Sequence, residues 1–357
     1  MSFKQIETLT KIFRNKGLPS YIIFYVTSIC NSKCKMCFNW KYNNNVTKEE
    51  LTLEEIDNFS KKLKHLQYVT LGGGEPTLRK DLPEICEIFY KNNNAQVFSI
   101  PTNGLLPKQT YDHTLNILNK CPGVNIRISL SIDGIGEDHD NIRGVPGNFE
   151  KIKETYKLLD EIRKKYKNFE ILANTTFSAY NQDKIKKIVK QLNSDFVFDM
   201  QSVTLVRGNS RELIAKKIDF SKYQELIKFL EEEYLEKTIS NRKFNQRMLN
   251  LLPFFTRREI IKTSLADKRT YTCYAGKNFV VIDSFGNVYA CEMLPNKLGN
   301  LRKEGYDLKS ILEKEETKKL LESIKDKKCN CTWECAIQNS LVFNHRNYHK
   351  YIRSKLN

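Results

Sequence analysis

The chain has 357 residues, 40% of them hydrophobic, enough for one large α/β domain and a smaller one with ordinary apolar cores. No run of about 18 apolar residues occurs, which excludes a membrane-spanning helix, and Met1 to Pro19 mixes Lys, Arg and Glu with Ile, Leu and Phe at helical spacing instead of forming the apolar core of a signal peptide, so a cytoplasmic protein is expected. The formal net charge is +17, but lysines are spread over amphipathic segments beside Glu, with no Arg-rich arm and no basic–aromatic interleaving, which argues against a nucleic-acid partner.

After a helix expected over residues 1–19, the chain alternates strand-like and helix-like segments. Short runs rich in β-branched and aromatic residues predict strands at Tyr21–Thr27, Tyr68–Gly74, Gln96–Asn103, Val124–Asp133, Phe169–Phe177 and Phe196–Val206. Periodic segments between them predict helices at Leu53–Leu66, Leu82–Tyr90, Tyr111–Asn119, Asn148–Lys165 and Asp183–Leu192. The first is opened by Thr52 as N-cap, with Glu55 three residues on. Such alternation implies parallel strands and right-handed crossovers, with chemistry at the C-terminal strand ends. A barrel, a partial barrel and an open doubly wound sheet all satisfy it. Residues 211–270 then read as a polar helical bridge containing Lys222–Lys237 and Phe244–Leu252. Residues 271–357 read as a small α+β domain. In it Phe279–Asp283 and Val288–Cys291 form a hairpin turning on Gly286 and Asn287, before a helix over Lys309–Lys325.

Ten cysteines in a reducing compartment point to metal or catalysis rather than disulfides. Cys30, Cys34 and Cys37 form a C-x3-C-x2-C loop directly after the first strand. Three thiolates on one loop hold three corners of a 4Fe–4S cube, whereas a structural zinc site wants a fourth protein ligand, and none is close in sequence. A missing fourth ligand leaves one iron open to a small molecule. Cys86 reads as a core residue of its helix, and Cys121 carries no assignment.

The cysteine loop, followed by Phe38, resembles the signature of the radical S-adenosylmethionine (SAM) superfamily. Leu71-Gly72-Gly73-Gly74-Glu75-Pro76, at the end of the second strand, resembles the Gly-Gly-Glu motif of that family. Further matches are Thr102-Asn103-Gly104, Ser129-Leu130-Ser131-Ile132-Asp133-Gly134, the H-D-x-x-R-G segment His139 to Gly144, and Asn174 in the fifth strand. The resemblance covers roughly Tyr21 to Gly208 and implies a partial (β/α)6 TIM-like barrel over residues 20–210. It implies that Cys30, Cys34 and Cys37 hold a 4Fe–4S cluster whose open iron takes the amino and carboxylate groups of SAM. Phe38, Gly73, Gly74, Glu75, Asn103, Ser131, Asp133, Arg143 and Asn174 would then line the SAM site, with Glu75 on the ammonium and Arg143 on the carboxylate.

Cys273-x12-Gly286-x4-Cys291 resembles the opening of a SPASM or twitch domain, and Cys329, Cys331 and Cys335 supply the remaining thiols. Five cysteines are too few for two fully thiolate-held cubes, so the resemblance implies one auxiliary 4Fe–4S cluster. One of Cys329, Cys331 and Cys335 is then a bystander, or the cluster keeps an open iron; a structural zinc site held by four thiolates has the same ligands. The build implies an oxidoreductase or maturase. It would generate a 5′-deoxyadenosyl radical, abstract a substrate hydrogen and pass an electron to the auxiliary cluster. Expected partners are a peptide or a carbohydrate-like small molecule, and a reductant such as flavodoxin or ferredoxin. The rival readings are a nucleic-acid modifier and a non-catalytic electron-transfer protein. Strand alternation also puts Asp199, Gln201 and Arg207 at the barrel mouth.

Overall fold

Strands built on Val, Ile, Phe and Tyr bury one face against helices and turn the other inward. The computed structural model describes residues 17–45, 48–240, 244–326 and 329–343; the helix expected over residues 1–19 lies, but for residues 17–19, outside them. The elements run β1 (Tyr21–Thr27), α1 (Leu53–Lys62), β2 (Tyr68–Gly73), α2 (Leu82–Asn93), β3 (Val97–Thr102), α3 (Pro107–Lys120), β4 (Asn125–Ser131), α4 (Glu137–Arg143), α5 (Asn148–Arg163), β5 (Phe169–Phe177), α6 (Ile185–Asp195) and β6 (Met200–Leu205). These six strands are parallel and in sequence order, and the sheet does not close, as in a partial barrel.

The helix-facing side is apolar. Phe24 of β1, Phe59 of α1 and Phe89 of α2 meet edge to face at 5.7–6.0 Å. The inward side carries polar pairs: Tyr21 bonds Thr70 across β1 and β2 at 3.1 Å, and Arg127 Nε donates to Glu170 Oε2 across β4 and β5 at 2.6 Å.

Two long helices follow, α7 (Phe220–Ser240) and α8 (Phe244–Ala266); α8 runs well past Leu252, with Pro253 inside it. The C-terminal part does not make a sheet of its own. Its first strand, β7 (Phe279–Ile282), pairs in parallel with β1, Tyr21 opposite Phe279 and Phe24 opposite Ile282. Antiparallel β8 (Asn287–Tyr289) and β9 (Lys297–Asn300) extend the same sheet, giving the order β6-β5-β4-β3-β2-β1-β7-β8-β9. Asp283 sets the hairpin turn: its Oδ1 accepts from the backbone N–H groups of Phe285 (3.0 Å) and Asn287 (2.8 Å). The helix expected over Lys309–Lys325 is two, α9 (Leu308–Glu313) and α10 (Glu315–Lys325), because Lys314 leaves helical geometry at ψ 141°. Helix α11 (Glu334–Phe343) ends the described chain.

The capping box on α1 also ties the two parts together. Thr52 Oγ1 accepts from Glu55 N at 3.2 Å, and Glu55 Oε2 accepts from Thr52 N at 2.9 Å. Glu55 further accepts from Arg302 Nη2 (2.8 Å) and the Tyr306 hydroxyl (2.9 Å), and the Arg302 bonds help hold its carboxyl down at about 2. Thr52→Ala should therefore cost about 1 kcal/mol of stability, the value of one cap. Glu55→Ala should cost roughly 2–3 kcal/mol, since it removes the Arg302 and Tyr306 bonds as well as the return bond to Thr52 N. Thermal unfolding of the intact chain checks the ranking.

Candidate active site and cluster-binding loops

The three-cysteine loop leaves the C-terminal end of β1 and is held by backbone bonds on several sides. Cys30 N donates to Asn44 Oδ1 at 2.9 Å, and Asn44 Nδ2 returns to Cys30 O at 3.1 Å. Lys33 N and Lys35 N donate to the last carbonyls of α4, Arg143 O (3.2 Å) and Ile142 O (3.0 Å). Arg211 N and Glu212 N donate to Cys37 O (3.0 Å) and Lys35 O (2.8 Å). Two donors aim at sulfur: Arg143 Nη1 lies 3.4 Å from Cys34 Sγ, and Asn43 Nδ2 lies 3.7 Å from Cys37 Sγ. Burial pushes the Cys30 thiol up to about 12 and the Cys37 thiol up to about 11. Such thiols ionise on meeting a metal's positive charge, and N–H donors on sulfur then stabilise the thiolates. The donor set fits a cluster. Three thiols on one loop, two of them with N–H donors aimed at sulfur, would hold three irons of a 4Fe–4S cube.

The glycine motif packs against this loop. A Cβ on Gly74 would lie 2.1 Å from Ile29 O, and Gly73, at φ +109°, would meet Thr27 O at 2.4 Å. The close approach demanded here is by the chain itself, where Gly74 N and Glu75 N bond to Thr27 O and Ile29 O, both at 2.8 Å. Glu75 is 2% exposed. Its Oε1 accepts from Thr77 N, Thr77 Oγ1 and Thr102 Oγ1, and its Oε2 from Asn103 N at 2.7 Å. Burial raises its carboxyl pKa, opposed by these bonds. Asn103 is likewise engaged: Nδ2 donates to Asn31 Oδ1 (2.7 Å) and Ser32 Oγ (3.0 Å), both in the cysteine loop.

The circuit continues through the H-D-x-x-R-G segment. Asn148 Nδ2 donates to Asn103 O at 2.9 Å, while Asn148 Oδ1 lies 3.1 Å from His139 Nε2. His139 Nδ1 accepts from Asp133 N at 3.1 Å, which puts the ring proton on Nε2. Asp133, fully buried, accepts from Thr176 N at 2.7 Å and pairs through Oδ2 with Arg143 Nε at 2.7 Å. Arg143 returns the circuit to Cys34. Asp133 and Arg143, expected to touch SAM, thus form an ion pair with each other. Gly144 lets α4 end against the loop, for a Cβ there would sit 2.9 Å from Lys33 O. At the inward strand ends, Ser131, Asn174 and Ser202 stand in register on β4, β5 and β6, with Ser202 Oγ donating to Asn174 Oδ1 at 2.9 Å.

In the second group, Cys273 and Cys291 are buried and Cys329, Cys331 and Cys335 half-buried. Burial pushes Cys273 up to about 11 and Cys291 to about 12, and both also feel Cys331. Cys329 Sγ accepts from buried Arg269 at 3.2 Å, and Tyr271 Oη lies 3.6 Å from Cys331 Sγ. Cys335 faces Arg207, Glu292 and Glu334, and burial lifts it to about 12. Arg207 joins the two groups. It lies 4.9 Å over the Phe38 ring and reaches Glu292 (3.5 Å) and Glu334 (3.4 Å), while the Tyr25 hydroxyl donates to Glu292 at 2.8 Å. Sequence reading missed Glu292 and Glu334, although each abuts a cysteine. It also missed Asn148 and Asn43, which no local pattern marks.

Two expectations are corrected. Asp199 lies before β6, at the strand end away from the cysteine loop, where it accepts from Ile171 N at 2.8 Å and pairs with Arg163 at 3.3 Å. Gln201 shares its alternation with buried Val203 and Leu205 and is in register with buried Ala173, on the helix-facing side. The inward residue is its neighbour Ser202. Cys86 and Cys121 are fully buried core residues.

A family model described as the radical SAM superfamily matches residues 24–192, and one described as an iron–sulfur cluster-binding domain, SPASM, matches residues 273–336. The chain is a radical SAM enzyme with a C-terminal SPASM iron–sulfur domain, and its cofactors are SAM, a 4Fe–4S cluster and further iron–sulfur chemistry in the SPASM part. It is 27% identical over 325 residues to the AdoMet-dependent heme synthase of Methanosarcina barkeri, covering 88% of this chain and 87% of that one. It is 29% identical over 208 residues to the sporulation killing factor maturation protein SkfB of Bacillus subtilis, covering 57% of this chain and 47% of that one. Among solved structures, SuiB of Streptococcus suis bound to its precursor peptide SuiA shares the fold, with a TM-score of 0.59 at 18% identity over 88% of this chain and 69% of that one. No helix among the described residues is long and apolar enough to cross a membrane.

Burial first, and Arg143 next, hold the His139 imidazole down at about 4. The unfolded chain takes up that proton near pH 6.5, so stability is fully present above that pH and is lost as pH falls toward 4, by up to about 1.4 kcal/mol per unit. His139→Gln should flatten this slope between pH 7.5 and 5.5, as read by unfolding midpoints at the two pH values.

Proposed function

We propose that this radical SAM enzyme oxidises or crosslinks a peptide held between the barrel mouth and the SPASM domain. Cys30, Cys34 and Cys37 hold the SAM-binding cluster in this reading, and Cys273, Cys291 and Cys331 form the centre of the second ligand set. The fourth thiolate comes from Cys329, beside Arg269, or from Cys335, beside Arg207. The SAM-binding cluster, when present, supplies the electron that breaks the sulfonium of SAM and frees the 5′-deoxyadenosyl radical.

The chain's own residues do the rest. Gly73, Gly74 and Phe38 shape the SAM site beside the cysteine loop, and Ser131 and Asn174 offer polar groups at the strand ends. Oε2 of Glu75 makes one bond where Oε1 makes three, which leaves it room for one further donor such as the SAM ammonium. Asn103, Asp133 and Arg143 act as positioning residues through their bonds to the cysteine loop and to one another.

The observation that carries the oxidative reading is the pairing of β1 with β7: the three-cysteine loop follows the C-terminal end of β1, and antiparallel β8 returns Cys291 toward Phe279, opposite Tyr21 at the other end of β1, so the two cysteine groups flank one strand from its two ends. An iron–sulfur cluster held by the SPASM cysteines would offer an electron acceptor across the Arg207–Glu292–Glu334 joint. The peptide reading draws on SkfB, a maturation protein, and on SuiB, solved with a precursor peptide. The match to the heme synthase along most of both chains favours a tetrapyrrole as second reading. A flavodoxin or ferredoxin would supply the electron.

Anaerobic protein with SAM and dithionite should release 5′-deoxyadenosine, and the Cys30/Cys34/Cys37→Ala triple variant should release none. With a panel of synthetic candidate precursor peptides, mass spectrometry should find a product lighter by two hydrogens in one of them. Turnover of an iron porphyrin instead, with every peptide unchanged, would replace the peptide reading with the tetrapyrrole one.

A further inference from the structure

The segment after β6 builds a surface that the site itself does not use. Arg211 and Glu212 bond by their backbone N–H groups to Cys37 O and Lys35 O, and a short 3-10 turn, Leu213–Lys216, follows at once. The underside of that turn is fixed. Ala215 is fully buried in a small apolar cluster with Cys34, Met36, Ile142 and Val206. Its outer side is bare: Leu213 is 70% and Ile214 51% exposed. Two adjacent exposed aliphatic side chains, flanked by Glu212 and Ala215, which both meet the cysteine loop, form an apolar tip beside that loop.

Cations surround this tip. Lys216 and Lys217 are exposed beside it, Lys33 is exposed in the cysteine loop, and Lys35 lies 5.0 Å over the Tyr180 ring. The acid between them, Glu212, is engaged by the Tyr180 hydroxyl. An apolar centre with a rim in which Lys33, Lys35, Lys216 and Lys217 outnumber Glu212 and Asp219 is the anatomy of a transient, electrostatically steered interface. The whole chain reinforces it at long range with a formal charge of +17.

We propose that this face, the turn 213–216 with its lysine rim, is where a small acidic one-electron carrier protein docks to reduce the barrel cluster. The proposal rests on the radical SAM reading above, which requires an external electron for each SAM cleaved. The carrier gives up one electron, a flavodoxin hydroquinone leaving as its semiquinone, and that electron is spent in breaking the sulfonium carbon–sulfur bond of SAM. The negative surface of the carrier complements the lysine rim, and Leu213 and Ile214 lose their exposure on docking. Entry through the SPASM domain is the alternative route.

The test uses the reconstituted holoenzyme with flavodoxin as probe, and two variants outside the cluster and SAM machinery: Lys216→Glu/Lys217→Glu and Leu213→Ser/Ile214→Ser. Flavodoxin affinity is measured by biosensor at low and high salt. 5′-Deoxyadenosine formation is measured with flavodoxin hydroquinone and separately with dithionite, which needs no docking. The expected result is affinity weakened about tenfold in both variants, with the salt dependence reduced in the charge-reversed one. Flavodoxin-driven cleavage should fall in parallel while dithionite-driven cleavage stays at the wild-type level. Unchanged flavodoxin binding in both variants overturns the proposal and points to the SPASM route. Equal loss with flavodoxin and dithionite in both, at unchanged affinity, also overturns it, since the turn would then only support the cysteine loop. Wild type that binds flavodoxin but makes no 5′-deoxyadenosine with dithionite would count against the catalytic reading, and the binding comparison would still decide the docking face.

Discussion

The structure depends on one constraint: three thiols on a loop must be held in a fixed arrangement by a chain that has no repeating hydrogen-bond ladder there. The solution is a closed circuit of buried polar bonds. It runs from Asn31 and Ser32 to Asn103, through Asn148, His139 and Asp133 to Arg143, and back to Cys34. Each such bond contributes only about 1 kcal/mol net, but leaving a buried partner unpaired costs about 1–3 kcal/mol, so the circuit, in which Asp133 and Arg143 meet as an ion pair, resists piecewise opening. Glu75 closes a second path by bonding Thr77, Thr102 and Asn103, which fastens the ends of β2 and β3 together.

The same sheet carries both cysteine groups. Because β7 adds to the free edge of β1, the SPASM part grows out of the barrel as a continuation of its hydrogen bonding. Glu55 with Arg302 clamps the two parts on the helix side, and Arg207 with Glu292 and Glu334 clamps them at the mouth. At the mouth joint Arg207 meets two carboxylates, Glu292 and Glu334, the latter also facing Arg257, with the rings of Tyr25 and Phe38 alongside. Desolvated charges of this kind persist where they are mutually paired. Here the pairing ties the end of β6, beside Phe38 of the cysteine loop, to Glu292 and Glu334, the neighbours of Cys291 and Cys335.

Much of this was legible in the sequence. Periodicity located β1 and β5 to the residue, and the Thr52–Glu55 capping box formed as written. Both kinds of signal are local, so the chain displays them before it folds. The cysteine spacing and the glycine run identified the chemistry because few other functions need those residues in that order. What was not legible is tertiary. The pairing of β7 with β1 leaves no local trace, and neither does the use of Asn148 or Asn43 as a brace. Strand phase failed at β6, where Gln201 follows the buried Val203 and Leu205 and leaves Ser202 facing inward. The polar residues of the SAM motifs looked like ligand contacts. Several of them also bond other motif residues, as Asn103 does the cysteine loop and Asp133 pairs with Arg143, and a one-dimensional pattern does not reveal that second role.

The most direct measurement is iron and sulfide content, with Mössbauer spectra, of anaerobically reconstituted wild type and of a variant lacking Cys273, Cys291 and Cys331. Two cysteine groups each holding a 4Fe–4S cluster predict about eight irons per chain falling to about four, with SAM still perturbing the remaining cluster. About four irons in both proteins, with zinc accompanying the C-terminal cysteines of the wild type, would contradict the account, because the substrate radical would then have no second cluster to receive its electron.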